Sequence, residues 1–349
     1  MDYSLVAAGG SNLTYRVEDA DGTAWALRRP PVTAVLATAH DMDREWRILR
    51  ALADTDVPVP AAVARCDDPG VTDGPFYVME FVDGIILRTE ADGAALTVAE
   101  AATASDALVD VQVELHSLDV DAIGLGDLAR HRTGYVERQL RRWKTQVERA
   151  KVRDLPLLDD LHDRLVRTVP PESGRPSLVH GDYRFDNVVL GPDPNAADPN
   201  AADPNEADPN EADPNAADPA TDDLAVTAVL DWELCTIGDA VADACWSLRY
   251  WIDPGDPLPF LGSAPTLAPA FPRRDVIAQR YAERSGQDLD TLPWFTVFGY
   301  WKMACIVEGV YARRLQGARG GAAQRDPSSI ADRVDAFLAY AADAAVGVV

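Results

Sequence analysis

Residues 177–190, SLVHGDYRFDNVVL, set a His, two Asp, an Arg and an Asn between two apolar, β-branched runs. SLV and VVL read as short buried strands bounded by polar loop residues. A core strand has no use for that much polarity at its centre. An ordinary surface loop tolerates it but is rarely clamped so tightly between apolar runs. Whatever this chain folds into must therefore hold a polar loop at the junction of two buried strands, and chemistry is expected there.

The chain has 349 residues, enough for one large domain or two lobes with ample core. A hydrophobic fraction of 47% excludes wholesale disorder. No apolar run reaches membrane-spanning length, and the opening MDYSLVAAGG lacks the charged-then-apolar order of a secretory signal. The expectation is a cytoplasmic protein with no membrane partner. Cys66, Cys235, Cys245 and Cys305 form no C-x-x-C pair and no metal-ligand spacing, so they read as buried thiols.

Charge narrows the partners further. Asp and Glu number 57 against 32 Lys and Arg, a net −25, and the lysines are Lys144, Lys151 and Lys302 alone. Such a field repels nucleic acid and anionic membrane. Asp-rich, Lys-poor surfaces of this kind resemble those of salt-accumulating halophiles, where concentrated ions screen self-repulsion. Acidity with that origin is no argument for a cationic substrate.

From Asp193 the chain repeats DPNAA, DPNAA, DPNEA, DPNEA, DPNAA. Each unit carries a Pro that cannot continue a helix and an Asp-Pro turn signal. The tract 192–223 has too little apolar surface to offset ordering entropy and reads as a disordered loop. VVL precedes it and LAVTAVLDWEL (224–234) follows as a strand, so it is expected at a hairpin tip. Upstream, TYRVED, TAWALRRP and GPFYVMEFVDG read as strands. HDMDREWRILRAL reads as an amphipathic helix with Trp46, Leu49 and Leu52 on one face. Beyond about residue 97 the pattern is mostly helical. The layout is α+β: a small β-rich lobe over 1–85, then a larger helical lobe over 86–349.

His180-Gly181-Asp182 is followed by Asn187, and a strand later by Asp231-Trp232-Glu233. Kinase catalytic loops share this Asp-to-Asn spacing. With H-G-D-x-x-x-x-N, D-W-E and G-D-x-x-x-D together, the chain resembles the aminoglycoside phosphotransferase-like branch of the protein-kinase-like fold. RQLRRW (138–143) and RYAERSG (280–286) resemble more particularly the kinase domains associated with acyl-CoA dehydrogenases. No Walker A pattern is present, which argues against a P-loop fold. Relatives carry residues ahead of the glycine-containing loop, and here that stretch is short.

The resemblance implies a two-lobed kinase-like fold with ATP or GTP and Mg²⁺ between the lobes. Gly10, Ser11 and Asn12 would lie in the nucleotide-covering loop, and the backbone of Glu80 to Val82 against the base. Asp182 would orient the acceptor hydroxyl and take its proton, where the plainer alternative is a loop-capping Asp. Asn187 and Asp231 would hold Mg²⁺ through oxygen, with Glu233 behind them. Arg184 has two open roles, contact with the transferring phosphate or pairing with Asp186. His180 is expected to be structural, Asp239 a helix cap and Asp243 a brace for the loop. Residues 1–143 contain no lysine, so the usual phosphate-binding Lys is missing. In the kinase strand an Ala and the Lys share a face, and Ala26 and Arg28 stand in that relation. Arg28 paired with Glu45 is the expected substitute, and Arg29, on the other face, the runner-up.

The implied activity is transfer of a γ-phosphoryl group to a small-molecule hydroxyl, with a hydroxyacyl-CoA or hydroxy acid as acceptor near Trp294, Tyr300 and Arg313. Those aromatics are equally at home in a core. An aminoglycoside acceptor and a nucleotide-binding pseudokinase are the alternatives, and oligomeric state is left open. Deleting residues 193–218 removes Asp193, Asp198, Asp203, Glu206, Asp208, Glu211, Asp213 and Asp218. Turnover at high salt is expected to survive that deletion. A tenfold rise in KM across a salt series, about 1.4 kcal/mol, would instead make the tract an ordered lid.

Overall fold

Alternating apolar and polar residues in the first 85 positions build an antiparallel five-stranded sheet of order β1-β2-β3-β5-β4. Its strands are β1 (Asp2–Ala8), β2 (Leu13–Glu18), β3 (Ala24–Arg29), β4 (Ala62–Cys66) and β5 (Phe76–Glu80), with helix α1 (Met42–Leu52) between β3 and β4. The computed structural model describes residues 2–8, 12–30, 42–68, 70–72, 74–193, 224–257, 259, 262–316 and 326–349. Asp19 makes the β2–β3 turn, its Oδ1 accepting from the N–H groups of Asp21 (3.0 Å) and Thr23 (2.9 Å). Register then does the positioning. Arg28 lies opposite Thr14 on one side and Tyr77 on the other, so these three side chains share one face. That face meets α1, which buries Met42, Glu45, Ile48, Leu49 and Leu52. Trp46 is only half-buried, packed at the margin of the same core.

The second lobe is helical: α2 (Glu90–Ala94), α3 (Val98–Ser117), α4 (Tyr135–Ala150), α5 (Pro156–Arg167), α6 (Ala240–Leu248), α7 (Arg274–Ser285), α8 (Leu292–Leu315) and α9 (Pro327–Ala344). Reciprocal capping boxes start α2 at Thr89/Asp92 and α3 at Thr97/Glu100. Two apolar clusters result. One joins α1 and the sheet to α3, α7 and the polar loop. The other packs α8 against α4, α5, α6 and α9, with Trp301 fully buried and donating from Nε1 to Leu158 O at 3.0 Å.

Two short antiparallel pairs carry the polar loop. β6 (Ser177–Val179) pairs with β9 (Thr236–Gly238), and β7 (Val188–Pro192) with β8 (Leu224–Val229). The β7–β8 register closes at Pro192↔Leu224, so the flanks of the acidic repeat do meet as a hairpin; residues 194–223 lie outside the described residues. The strand expected over 224–234 ends at Val229. Asp231 then takes a left-handed φ of 64°, and Trp232–Leu234 form a turn of 3₁₀ helix. The turn is fixed by Trp232, whose indole is buried and donates back to Val229 O at 3.1 Å. Of the cysteines, Cys235, Cys245 and Cys305 are buried thiols as expected, whereas Cys66 on β4 is half-exposed. Past β5, Ile85 exchanges both backbone hydrogen bonds with Leu190 of β7 at 2.8 Å. Gly84 is needed there, because a Cβ would stand 2.4 Å from Leu190 O.

Candidate active site

The chain leaves β6 through His180 and turns at Gly181. Gly181 has φ +85°, and a Cβ would come within 3.0 Å of Leu234 O, so both the backbone and the space require glycine. Asp243 on α6 receives the turn, accepting from the N–H groups of His180 (3.1 Å) and Gly181 (2.9 Å). His116 of α3 completes it, with Nε2 3.2 Å from Asp243 and Nδ1 2.8 Å from the Tyr281 hydroxyl. Burial alone would raise the Asp243 carboxyl, but His116, His180 and the Gly181 N–H hold it below the usual carboxylate range. The His180 ring is fully buried. Its Nε2 donates to Leu230 O at 2.9 Å while Nδ1 accepts from Asp182 N at 3.3 Å. His180 and Asp243 are therefore framework, and Asp239 caps α6, accepting from Ala242 N at 2.8 Å.

Asp182 stands on this framework with its carboxylate surrounded by donors. The Tyr250 hydroxyl donates to Oδ1 at 2.5 Å, and Oδ2 takes Asn187 Nδ2 at 3.1 Å and Arg184 Nε at 3.3 Å. Burial opposes its charge, yet Arg184, Tyr250, His180 and Lys302 together keep the carboxyl below its ordinary value. Arg184 makes the expected pair with Asp186 at 3.1 Å and a further one with Asp182. Asn187 also donates to Asp182 O at 2.8 Å. With Nδ2 used in this way, its Oδ1 is the atom it would offer a cation.

Across the cleft, Arg28 donates from Nε to Glu45 Oε2 at 2.7 Å and forms a second ion pair with Asp231. Glu45 is itself gripped, taking Tyr77 OH and Asn12 Nδ2 at 2.9 Å each. Burial works against the charge on Arg28, but Glu45 and Asp231 raise its pKa above the usual guanidinium range, and Glu233 adds to this. Arg29 turns elsewhere, its Nε 3.4 Å from Pro30 O. Asn12 is thus bound to Glu45 and buried, while Gly10 and Ser11 lie outside the described residues. At the other end of the cleft Glu80 donates its N–H to Ala61 O at 2.9 Å, and Val82 follows half-buried just beyond β5.

Asn187 and Asp231 flank the β7–β8 hairpin, joined by Leu230 N donating to Asn187 O at 2.8 Å. Among the described residues no group of three or more His, Cys, Asp or Glu is arranged as a metal cage. A pair of oxygen donors suits Mg²⁺, which takes one or two protein ligands and completes its shell with water and phosphate.

A cavity of about 340 Å³ opens beside Asp182. Tyr300 lines it, as do Arg249, Tyr250, Lys302 and Trp246, none of which had been singled out for a site. Trp294 belongs to the core instead, stacked on Phe298 and donating to Thr168 Oγ1 at 3.0 Å, and Arg313 is exposed. Lys302 did leave a signal in the sequence, a single cation inside the apolar run TVFGYWKMACIV.

A sheet-rich lobe followed by a helical lobe, with an ionised Asp182 beside a cavity lined by the second lobe, is the layout of a kinase-like fold. The chain belongs to the phosphotransferase enzyme family, whose model matches residues 2–197. It is 31% identical over 313 residues to human acyl-CoA dehydrogenase family member 11, covering 89% of this chain and 36% of that protein. The chain thus spans about a third of the length of that relative. A crystal structure from Ralstonia eutropha, provisionally assigned as an aminoglycoside phosphotransferase, is 27% identical with a TM-score of 0.73, covering 98% of this chain and 93% of the other. Amicoumacin kinase, solved with AMP-PNP, Ca²⁺ and Ami, shares the fold at 16% identity and a TM-score of 0.57, covering 97% and 88%. No helix among the described residues is long and apolar enough to cross a membrane.

Asp243→Asn is expected to cost about 2 kcal/mol at neutral pH, the size typical of hydrogen bonds to a charged group, since the carboxylate accepts the N–H groups of His180 and Gly181. A carboxyl with a depressed folded pKa stabilises above its unfolded value near 3.9, and that stability is lost as pH falls through the folded pKa. The variant is therefore expected to unfold with a shallower acid limb below pH about 4. Thermal melts from pH 7 down to acid check this, and an unchanged acid limb would remove Asp243 from the role of brace.

Proposed function

We propose that this protein transfers the γ-phosphoryl group of ATP, or of GTP, to the hydroxyl of a small hydroxy acid or hydroxyacyl-CoA. The observation that carries the reading is Asp182, held ionised by Tyr250, Asn187 and Arg184 at the edge of a cavity. A carboxylate so placed can align an acceptor hydroxyl and accept its proton as the oxygen bonds to phosphorus. Arg28, fixed by Glu45, would meet the nucleotide phosphates with a forked cation in place of the usual ammonium. Asn187 and Asp231 would hold Mg²⁺, with Glu233 behind them; when bound, the ion neutralises charge on the phosphates. Gly10, Ser11 and Asn12 would cover the nucleotide and the Glu80–Val82 backbone would take its base, the boundary between lobes falling near residue 85. The relative named as an acyl-CoA dehydrogenase family member supports an acyl acceptor. The acidic composition supports function at high salt.

A nucleotide-binding protein without turnover is the second reading, favoured by the missing lysine. It is weakened by the Arg28–Glu45 pair, which puts a fixed cation on the expected strand face.

Asp182→Ala is expected to bind ATP with Mg²⁺ almost normally in calorimetry yet lose about 10²- to 10⁴-fold in turnover. Asp231→Ala should lose Mg²⁺-dependent binding itself. Equal loss of binding in both would sink this division of roles.

Arg28→Lys is expected to keep most activity and Arg28→Ala little, since the alanine also leaves Glu45 buried beside no cation. Normal turnover in Arg28→Ala together with loss in Arg29→Ala would move the phosphate contact to the other face of β3.

A further inference from the structure

Three cations border the cavity beside Asp182, and they are not equivalent. Arg184 is matched by Asp182 and Asp186. Arg249 and Lys302 have no such partner: neither forms an ion pair among the described residues. Arg249, at the end of α6, is 8% exposed and Lys302, on α8, is 7% exposed. The Arg249 guanidinium lies 4.2 Å from the centre of the Trp246 ring and 4.8 Å from that of Tyr250. Its Nε and one terminal nitrogen are buried with no hydrogen-bond acceptor. The Lys302 ammonium is 3.4 Å from the Trp246 ring centre and 5.6 Å from that of Trp143.

Two like charges therefore share one indole in a place shielded from water. Ring faces attract cations but accept no strong hydrogen bond from them. Burial, and then the charge on Arg249, bring the Lys302 pKa down to about 7. Asp182 attracts both cations, but its oxygens are already taken by Tyr250, Arg184 and Asn187. Buried polar groups in native folds find partners, and an arrangement that leaves two buried Arg249 nitrogens unpaired, beside a Lys302 ammonium with no ion pair among the described residues, is built for something that arrives. Space has been made for it: Gly299 lets the Arg249 stem pass where a Cβ would stand 3.1 Å from Cδ.

We propose that Arg249 and Lys302 form an anion-binding end of the acceptor site, receiving a carboxylate or phosphate group of the molecule whose hydroxyl lies at Asp182. An anion there supplies the missing acceptors and relieves the repulsion between the two cations. The remaining lining is largely apolar, including Trp143, Met303, Ile306 and Phe337, which suits a carbon chain between hydroxyl and anion. The cavity volume of about 340 Å³ lies at the small end for ligand sites. A polycationic acceptor such as an aminoglycoside would meet two buried positive charges. The place of the hydroxyl rests on the phosphoryl-transfer reading above; the anion end rests on Arg249 and Lys302 alone.

The test is a binding comparison read by tryptophan fluorescence, since Trp246 and Trp143 adjoin Lys302. The probes are a series of hydroxyhexanoates differing in hydroxyl position, the matched hexanediols and aminohexanols, and the coenzyme A thioesters of the same acids. Wild-type protein is expected to bind at least one hydroxyhexanoate, or its thioester, ten times more tightly than the matched diol and amine. Preference for the free acid identifies a carboxylate at the anion end, and preference for the thioester a phosphate of the carrier. Arg249→Gln and Lys302→Met should each erase that preference, with Arg249→Lys intermediate and affinity for ATP with Mg²⁺ unchanged. Absence of anion preference in the wild type, which needs no folded variant, would overturn the inference. So would variants that lose ATP affinity and keep the preference. Failure of every probe to accept phosphate, with the anion preference intact, would defeat the phosphoryl-transfer reading and leave the anion end standing.

Discussion

One buried carboxylate holds the centre of this molecule. Asp243 accepts two consecutive backbone N–H groups at the end of β6 and faces an imidazole from α3. Those N–H groups sit where a strand has ended and no helix has begun, so the backbone itself offers them no acceptor. Removing the carboxylate would orphan both at once. The His180 ring then carries the constraint onward, from Asp182 N on one side to Leu230 O on the other. The loop bearing Asp182 and the hairpin end bearing Asp231 are thereby set by the same short chain of hydrogen bonds. Such chains are worth more together than apart, because each member fixes the orientation of the next.

The second organising contact crosses the cleft. Arg28 reaches Glu45 and Asp231 together, which a guanidinium can do because its donors diverge in a rigid fork, whereas an ammonium acts as a single point. The sheet register prepares this, setting Thr14 and Tyr77 beside Arg28 and turning all three toward α1. The Ile85–Leu190 backbone pair gives the lobes a further junction. These polar contacts sit on a shared apolar cluster in which Ala26, Tyr77 and Met79 of the sheet join Val188, Leu190 and Val229 of the β7–β8 hairpin, so packing brings the sheet and the hairpin together and the polar pairs fix how they are aligned.

Legibility followed sequence distance. The loop around Asp182 was readable because its polar residues stand in one short stretch against strands that announce themselves. Ala26 and Arg28 were readable because a strand alternates with period two. The cavity was not, since its wall comes from the end of α6 and the middle of α8, brought together only by packing. Tyr300 and Trp294 looked alike from the sequence, yet residues six apart on a helix point about 120° from one another. One faces the cavity and the other the core. Arg313 lies about 20 Å further along the same axis. Lys302 was hidden by its setting, an apolar helix whose interior looks like core, and only the isolation of its charge marked it out. Asp231 escaped the strand expected there because nothing in LAVTAVLDWEL warns that a buried indole will bend the chain back.

The first 143 residues without a lysine also decide which reagents can see this protein. Probes that report on nucleotide sites by acylating an amine beside the phosphates depend on a side chain that the N-terminal sheet does not carry. The guanidinium of Arg28 stays protonated and is no nucleophile toward such reagents. In a mixed proteome β3 of this chain would be silent toward them, occupied or not, and an amine labelled beside Asp182 would be that of Lys302. A negative result from amine labelling would therefore describe the choice of cation on one strand and say nothing of the state of the enzyme.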